Sequence, residues 1–225
     1  MNNIEHYLEE VRDTLDRLPL DRVQDVVDVL LSANHLGSTV FIVGNGGSAA
    51  TASHFACDLA KGTITAGRPR FRAVALTDNV PLMTAWSNDV AYEDVFVEQL
   101  RGLMRRGDVL IAFSGSGNSP NVLRAVRLAR RLGGITVGFS GFAGGQLSTL
   151  VDVSVNVSND CMEQIEDVHL VLCHLIATVL RETARAKESA GQAITGGLGA
   201  LDAGEWQEEE YQPVVTPLPL VVGEE

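Results

Sequence analysis

The sequence predicts an α/β fold, a doubly wound sheet of five parallel strands preceded by two helices. Short runs rich in β-branched residues alternate with longer stretches of helical period, which is typical of a parallel sheet covered by helices on both faces. Right-handed crossovers then leave few topologies, and we expect the strand order 2-1-3-4-5. The strand runs begin at residues 38, 71, 108, 135 and 151.

Helical periodicity supports the helices one by one. Apolar residues recur at helical spacing at Ile4, Leu8, Val11 and Leu15, and again over 23–31, so two helices precede the first strand. The later helical stretches are 49–61, 79–104, 119–132 and a final helix at about 162–186.

Acidic residues are concentrated after Lys187. This segment holds eight acidic side chains and no Lys or Arg, so it carries eight of the twelve net negative charges. We therefore assign residues 1–187 to the folded domain and 188–225 to an acidic tail that is mostly disordered in isolation. The apolar piece 214–222 is either part of a floppy terminus or a segment that docks on a partner or a neighbouring subunit.

Composition excludes several classes of protein. Hydrophobic residues make up 45% of the chain, enough for a full core, yet no apolar run approaches the roughly 18 residues of a membrane-spanning helix. The net charge of −12 argues against nucleic acid as the main ligand, because phosphate backbones need basic surfaces. The acidic N-terminus is unlike a signal peptide, and three widely spaced cysteines fit neither a disulfide framework nor a CxxC metal site. We therefore expect a reducing, cytoplasmic compartment.

Two loops rich in glycine and serine follow the first and third strands. One reads GNGGS over 44–48, the other reads SGSGNS over 114–119, and each leads into a helix. Glycine lets the backbone approach a ligand, and a helix N-terminus supplies free N–H groups and the positive end of its dipole. Strands 1 and 3 are neighbours in a flavodoxin-like order, so both loops would line one crevice.

These loops predict a binding site for a phosphate monoester, with serine hydroxyls as neutral donors. The alternative is that both are ordinary tight turns that use glycine for its conformational freedom. Neither loop reads GxGxxG or GxxxxGK(S/T), which excludes the dinucleotide-binding and P-loop motifs.

The sequence around both loops resembles the sugar isomerase (SIS) domain family, most closely its phosphoheptose isomerase branch. The segments that carry the resemblance are GNGGSAATASHFACDLA, SGSGNSPNVLRAV, GRP at 67–69, SNDVAYEDVF at 87–96, GDVLIAFSGSGNS at 107–119 and IEDVHLVLCH at 165–174. The resemblance covers about residues 1–186. It implies a homotetramer with active sites between subunits.

The resemblance implies a substrate phosphate held by serines and a sugar that lies near further polar residues. The implied phosphate ligands are Ser48, Ser114, Ser116 and Ser119, with Gly46 and Gly47 beside them. Asn45 and Asp89 are the residues near the sugar. The family carries an arginine just after the first site helix, where this chain has Lys61, so the cation at the phosphate is either Lys61 or Arg68.

The resemblance also places a metal and acid/base cluster on two helices, with His54 and Asp58 on the first and Glu166 and His174 on the last. Spacing i, i+4 puts His54 and Asp58 on one face. Eight residues at about 100° each bring Glu166 and His174 within about 80° of the same face. Two histidines and two carboxylates suit zinc or another divalent ion.

Two positions depart from the family pattern, which has Glu where this chain has Asp58 and Gln where it has Glu166. Asp is one methylene shorter, so a base at this position would lie about 1.5 Å further back unless the helix shifts. Glu in place of Gln adds an anion, which should tighten a divalent cation. Of the other histidines, we expect His169 to act at most indirectly and His6 and His35 to be surface residues.

By resemblance, the chain is expected to be an aldose–ketose isomerase that interconverts D-sedoheptulose 7-phosphate and D-glycero-D-manno-heptose 7-phosphate through an enediol. Such a reaction needs a base, a proton shuttle and an electrophile for the developing enediolate charge. We assign Asp58 or Glu166 as the base and His174 as the shuttle. A divalent metal, with zinc as the first choice, would be the electrophile.

Two alternatives stay open. A non-catalytic relative, such as a sugar-phosphate sensor or a protein that binds a bacterial replication initiator, would need the serine loops but not the histidine and carboxylate set. An isomerase for another sugar phosphate would need both. The presence of His54, Asp58 and His174 favours catalysis.

Overall fold

The computed structural model describes the backbone over residues 3–195 and the side chains over residues 3–186. The described fold belongs to a unit that spans Met1–Glu188. The predicted acidic tail lies outside the described residues, except for 188–195, which continue the last helix. Within the described part of the chain, no helix has the length and hydropathy needed to cross a bilayer.

Five parallel strands form one sheet, as the alternating sequence pattern predicts. Their order in the sheet is β2-β1-β3-β4-β5, which confirms the predicted doubly wound topology. The strands are β1 Thr39–Val43, β2 Arg72–Ala75, β3 Val109–Ser114, β4 Ile135–Gly141 and β5 Val153–Val157.

The pairing of β1 with β3 is the centre of this topology. The two strands run parallel, with Val40 beside Val109 and Val43 beside Ala112. Because parallel neighbours end at the same edge of a sheet, the loops that follow β1 and β3 leave the sheet side by side.

Eight helices surround the sheet in the described residues. They are α1 Asn3–Asp16, α2 Leu20–Leu36, α3 Gly47–Cys57, α4 Val80–Asp89, α5 Val95–Leu103, α6 Pro120–Arg131, α7 Leu147–Leu150 and α8 Met162–Thr195. A π-helical turn, Asp58–Gly62, extends α3, and a 3₁₀ turn, Tyr92–Asp94, separates α4 from α5. Both predicted lead-in helices are present.

Two helix boundaries differ from the sequence prediction. The stretch 79–104 is interrupted after Asp89, where the side chain of Asn88 donates to the Asp89 carboxylate at 2.8 Å. Asn and Asp compete with the helix for local hydrogen bonds, so this pair favours a break. The last helix runs to Thr195 rather than 186, and no proline lies between these two positions to interrupt it.

The sheet divides the apolar core into two halves, and β3 contributes to both. Val109, Ile111 and Phe113 pack with α2, α3 and α8 on one face. Leu110 and Ala112 pack with α5 and α6 on the other. Every residue of β3 is buried, as expected for a central strand covered on both faces.

His169 on α8 is a buried histidine under the sheet edge. Its Nε2 lies 3.2 Å from the carbonyl oxygen of Ser140, and its ring packs against Phe113 and Phe139. Its Nδ1 is buried and has no hydrogen-bond partner among the described residues. Burial lowers the pKa of His169 to about 4, so at neutral pH the ring is uncharged and its Nε2–H donates to Ser140.

This burial predicts a loss of stability in mild acid. The unfolded chain takes up a proton at His169 near pH 6.5, while the folded chain resists it down to about pH 4, so the free energy of unfolding falls as the pH drops through that window. Between pH 7 and pH 4.5, the free energy of unfolding of the unsubstituted protein, measured by urea denaturation, should fall by about 2 kcal/mol more than that of His169→Gln.

The glutamine substitution keeps an N–H donor for Ser140 but cannot titrate. His35→Gln, at an exposed position near the end of α2, is the matched control and should follow the unsubstituted protein. If His169→Gln and the unsubstituted protein lose the same free energy between the two pH values, His169 is not the group responsible.

Candidate active site

The two glycine- and serine-rich loops meet at the carboxyl edge of the sheet and line one cavity of about 250 Å³. The predicted residues that line this serine cavity are Asn45, Gly46, Gly47, Ser48, Ser114, Ser116 and Ser119. Phe113 and Met162 add apolar wall, and Glu166 adds a carboxylate. The cavity is therefore rich in small hydrogen-bonding groups.

Two helix N-termini border the serine cavity. Helix α3 begins at Gly47 and α6 begins at Pro120, and in neither case does a side chain cap the helix. Gly46, which precedes α3, has a φ of 55°, a left-handed conformation that favours glycine. Uncapped N-termini leave backbone N–H groups and the positive ends of two helix dipoles beside the cavity, an arrangement that attracts anions.

The serine hydroxyls are partly oriented by one another and by the loop backbone. The Ser114 hydroxyl donates to that of Ser119 at 3.2 Å, which leaves the Ser119 proton for a ligand. The backbone N–H of Asn118 donates to the Ser116 hydroxyl at 3.2 Å, which likewise leaves the Ser116 proton unused. These hydroxyls can therefore donate to a bound anion without first breaking a contact.

Backbone hydrogen bonds from two other segments hold the second loop. The carbonyl of Gly115 accepts from the Gly141 N–H at 2.8 Å, and that of Gly117 accepts from the Leu147 N–H at 2.9 Å. Leu147 opens α7, a helix of four residues that the sequence pattern did not reveal. The loop is thus anchored to the end of β4 and to α7.

Glu166 lies in the serine cavity, against the backbone of Gly47. The space that a side chain at Gly47 would need is occupied by the Glu166 carboxylate. A side chain at the start of α3 would therefore have to displace this carboxylate.

A second group of titratable side chains lies on α3, its π-helical turn and α8. His54 and Asp58 come from α3 and its π-helical turn, and His174 comes from α8. The Nε2 atoms of His54 and His174 are 2.8 Å apart, and they lie 3.4 and 3.7 Å from Oδ2 of Asp58. This histidine–aspartate cluster is open to solvent, since the two histidine side chains are 47% and 54% exposed.

The histidine–aspartate cluster fits a divalent cation. Its three ligand atoms lie within 4.8 Å of one another. Oδ2 of Asp58 is buried yet accepts no hydrogen bond from any residue that the structure describes. A buried carboxylate oxygen without a partner is costly, and a cation at this point would satisfy it. Two imidazole nitrogens and one carboxylate oxygen are ligands that zinc accepts.

Glu166 does not join this cluster within the chain, contrary to the prediction that four residues converge. The prediction considered only the angle between residues 166 and 174 around the helix. Eight residues of α-helix also advance about 12 Å along the axis. Glu166 therefore reaches the serine cavity while His174 reaches His54 and Asp58.

The shorter carboxylate at Asp58 still reaches its partners. The chain leaves regular α-helical geometry at this residue, where the π-helical turn Asp58–Gly62 begins. Such turns shift the backbone locally and recur at functional sites. The Asp58 carboxylate thereby lies near both imidazoles.

Helices α3 and α8 run side by side in the same direction. Gly47 and Glu166 are in contact near their N-terminal ends, and His54 and His174 are in contact further along. His54 lies six residues after Ser48, which is about 9 Å along the axis of α3. The serine cavity and the histidine–aspartate cluster therefore lie at two successive positions along the same pair of helices.

Three other predicted substrate residues do not line the serine cavity. Asp89 ends α4 and accepts a hydrogen bond from Asn88. Lys61 is exposed in the π-helical turn. Arg68 borders a different cavity of about 160 Å³, next to Phe71. The serine cavity has no Lys or Arg among the residues described as lining it.

Two polar residues that the sequence reading missed support Asn45. Asn121, in the first turn of α6, and Tyr92, between α4 and α5, both hydrogen-bond to the Asn45 side chain. The repeated Asn in SGNSPN was the available sequence signal for Asn121. Tyr92 gave none, because its contact spans 47 residues of sequence.

Comparison with proteins of known sequence gives relatives with one shared name. The chain is 37% identical over 176 residues to a probable phosphoheptose isomerase of Thermoplasma acidophilum, covering 78% of this chain and 96% of that one. It is 42% identical over 162 residues to the phosphoheptose isomerase of Mycobacterium tuberculosis, covering 72% of this chain and 82% of that one.

Two of the solved structures with the same fold carry the same name. A phosphoheptose isomerase from Francisella tularensis matches with a TM-score of 0.73 at 27% identity, covering 80% of this chain and 94% of that one. The phosphoheptose isomerase GmhA from Neisseria gonorrhoeae matches with a TM-score of 0.73 at 28% identity, covering 80% and 95%. The family model described as the SIS domain matches residues 6–141. The chain therefore belongs to the SIS domain family.

Proposed function

We propose that this protein is an aldose–ketose isomerase that interconverts D-sedoheptulose 7-phosphate and D-glycero-D-manno-heptose 7-phosphate. The observation that carries the proposal is the placement of a serine cavity and a histidine–aspartate cluster at two positions along the same pair of helices, α3 and α8. The names of the relatives point to the same activity.

The serine cavity suits the phosphate of the substrate. Hydroxyls of Ser48, Ser116 and Ser119 can donate to phosphate oxygens, and the N-termini of α3 and α6 supply positive potential. This recognition uses neutral donors and helix dipoles, because the described lining has no cationic side chain.

The separation between the serine cavity and the histidine–aspartate cluster suits a seven-carbon sugar. An extended seven-carbon phosphate spans about 10 Å from C1 to phosphorus, at about 1.25 Å of advance per bond. This length is close to the separation of about 9 Å between Ser48 and His54 along α3. With the phosphate in the serine cavity, C1 and C2 would lie beside the histidine–aspartate cluster.

Proton transfer between C1 and C2 falls to the residues at that end. The Asp58 carboxylate is the base that removes the C1 proton of the ketose, through the oxygen that does not face the two imidazoles. His174 carries protons to and from the two sugar oxygens as the enediol forms and collapses, through Nδ1, since its Nε2 faces His54 and Asp58. Because Glu166 lies at the phosphate end, we no longer propose it as the base.

A divalent metal, with zinc as the first choice, would be held by His54, Asp58 and His174. When bound, it would supply a Lewis acid that polarises the substrate carbonyl. The retention of all three groups favours an enzyme over a sugar-phosphate sensor, which would need only the serine cavity.

A homotetramer with active sites between subunits completes the proposal. Ile4 and Leu8 on α1 are 73% and 58% exposed, and Val171 and Leu175 on α8 are 45% and 40% exposed. These apolar side chains recur at helical spacing and would be covered by neighbouring copies of the chain. We place the protein in the cytoplasm, in keeping with three cysteines that are free thiols in the structure.

The phosphate assignment predicts weaker ligand binding when a cavity serine is removed. Each lost hydrogen bond to a charged group costs about 1.5–3 kcal/mol, so Ser48→Ala and Ser116→Ala should each weaken binding of sedoheptulose 7-phosphate roughly 10- to 150-fold. Ser32→Ala on the exposed side of α2 is the control. Calorimetric affinities that stay unchanged in both cavity variants would remove the serine cavity as the phosphate site.

The catalytic assignment predicts loss of turnover without loss of binding. Asp58→Asn and His174→Ala should each slow exchange of the C1 protons of sedoheptulose 7-phosphate with deuterated water by about 100-fold or more, measured by NMR. Asp28→Asn, at an exposed site on α2, should exchange like the unsubstituted protein. No exchange by the unsubstituted protein would refute the isomerase, and full exchange in both variants would refute the catalytic roles.

The metal assignment separates Glu166 from the three proposed ligands. Purified His54→Ala and Asp58→Asn should each hold less than a tenth of the zinc bound per chain by the unsubstituted protein, measured by elemental analysis after dialysis against zinc. Glu166→Gln should retain the full amount, because Glu166 lies in the serine cavity. Zinc loss in Glu166→Gln equal to that in Asp58→Asn would restore the four-residue site.

A further inference from the structure

The side chains of Asn45 and Asn121 form a reciprocal amide pair across the two loops. Asn45 Nδ2 donates to Oδ1 of Asn121 at 2.9 Å, and Asn121 Nδ2 donates to Oδ1 of Asn45 at 2.8 Å. Asn45 follows β1, whereas Asn121 lies in the first turn of α6 and is 1% exposed. The pair therefore joins the first loop to the helix that follows the second.

A backbone donor fixes the direction of this pair. The N–H of Val122 donates to Oδ1 of Asn121 at 2.9 Å. A backbone N–H can only donate, so the oxygen of the Asn121 amide must lie on this side. The amide nitrogen of Asn121 then faces Asn45 and requires an acceptor there, which orients the Asn45 amide in turn.

Tyr92 uses the remaining acceptor capacity of Asn45. Its hydroxyl donates to Oδ1 of Asn45 at 2.9 Å, so this oxygen accepts from Asn121 and from Tyr92 at once. A carbonyl oxygen has two lone pairs, and both are used here. The amide nitrogen of Asn45 has two protons, one of which is donated to Asn121 in a hydrogen bond. The one hydrogen-bonding position left on the Asn45 side chain is a single N–H.

We infer that Asn121 and Tyr92 are positioning residues that make Asn45 a hydrogen-bond donor, and never an acceptor, toward a ligand in the serine cavity. Asn45 lines that cavity. Without the two supports its amide could turn over and present a carbonyl to the oxygen lone pairs of a phosphate ester. The inference rests on the proposed function for the identity of the ligand, but not for the orientation of the amide.

The serine cavity also holds a hydrogen-bond acceptor. Glu166, which lines the same cavity, offers carboxylate oxygens. A ligand between Asn45 and Glu166 is favoured when it accepts a hydrogen bond on one side and donates one on the other. A polyhydroxylated phosphate ester does both, because its phosphate oxygens accept and its sugar hydroxyls donate.

The test is whether Asn121 and Tyr92 act through Asn45. Asn121→Asp keeps the acceptor for Val122 but removes the donor to Asn45, and Tyr92→Phe removes only the hydroxyl. Each should lower kcat/KM and the affinity for sedoheptulose 7-phosphate about 10-fold. In an Asn45→Ala background the same substitutions should change both quantities by less than about twofold, because their effect passes through the missing side chain.

Tyr7→Phe is the matched control, since Tyr7 also donates its hydroxyl to a side chain, Asp167 on α8, at 2.6 Å. It should leave turnover and affinity unchanged. Equal losses for Asn121→Asp and Tyr92→Phe in the native and Asn45→Ala backgrounds would overturn the inference, as would the absence of any loss in the native background.

A measurement on the free protein separates failure of this inference from failure of the proposed function. The ¹⁵N side-chain amide signal of Asn45, identified by its disappearance in Asn45→Ala, should shift in Asn121→Asp and in Tyr92→Phe but not in Tyr7→Phe. If the signal does not move, the positioning role is wrong whatever the activity. If it moves in a protein that neither binds nor converts the sugar phosphate, the proposed function is wrong and the amide orientation stands.

Discussion

The parallel pairing of β1 with β3 places the two glycine- and serine-rich loops at one edge of the sheet. The serine cavity follows from this adjacency. The loops share one cavity, their helices α3 and α6 begin beside it, and the Asn45–Asn121 pair can form across it. In a sheet that did not pair β1 with β3, the two loops would lie apart and could not contact the same ligand.

The second determinant is the direction of α3 relative to α8. Because the two helices run side by side, groups at their N-terminal ends are placed for the proposed anion binding, and groups further along are placed for the proposed acid/base chemistry. Binding energy at the phosphate can then orient a reacting centre that the phosphate does not touch. Asp58 reaches that centre from a π-helical turn, so a local departure from α-helical geometry accompanies the shorter carboxylate.

The fold was predictable because its signals are local. Strand runs, helical periods and the glycine–serine loops can each be read within about ten residues, and the handedness of crossovers supplies the topology. The errors arose where geometry rather than residue pattern decides. The break after Asp89 coincides with one contact between neighbouring side chains, and the place of Glu166 depends on helical rise as well as angle. The roles of Tyr92, Asn121 and the buried His169 are set by neighbours far away in sequence.

The central claim is that the separation between the serine cavity and the histidine–aspartate cluster selects the length of the substrate. The direct measurement is the rate of C1 proton exchange in deuterated water for terminally phosphorylated ketoses of five, six and seven carbons, each at saturating concentration. Each carbon removed draws C1 back by about 1.25 Å, and misplacement by about 1 Å can cost on the order of 100-fold. Exchange should therefore be fastest for the seven-carbon ketose and fall stepwise with each carbon lost. Equal rates for the three sugars, or the fastest exchange in the five-carbon ketose, would contradict the claim.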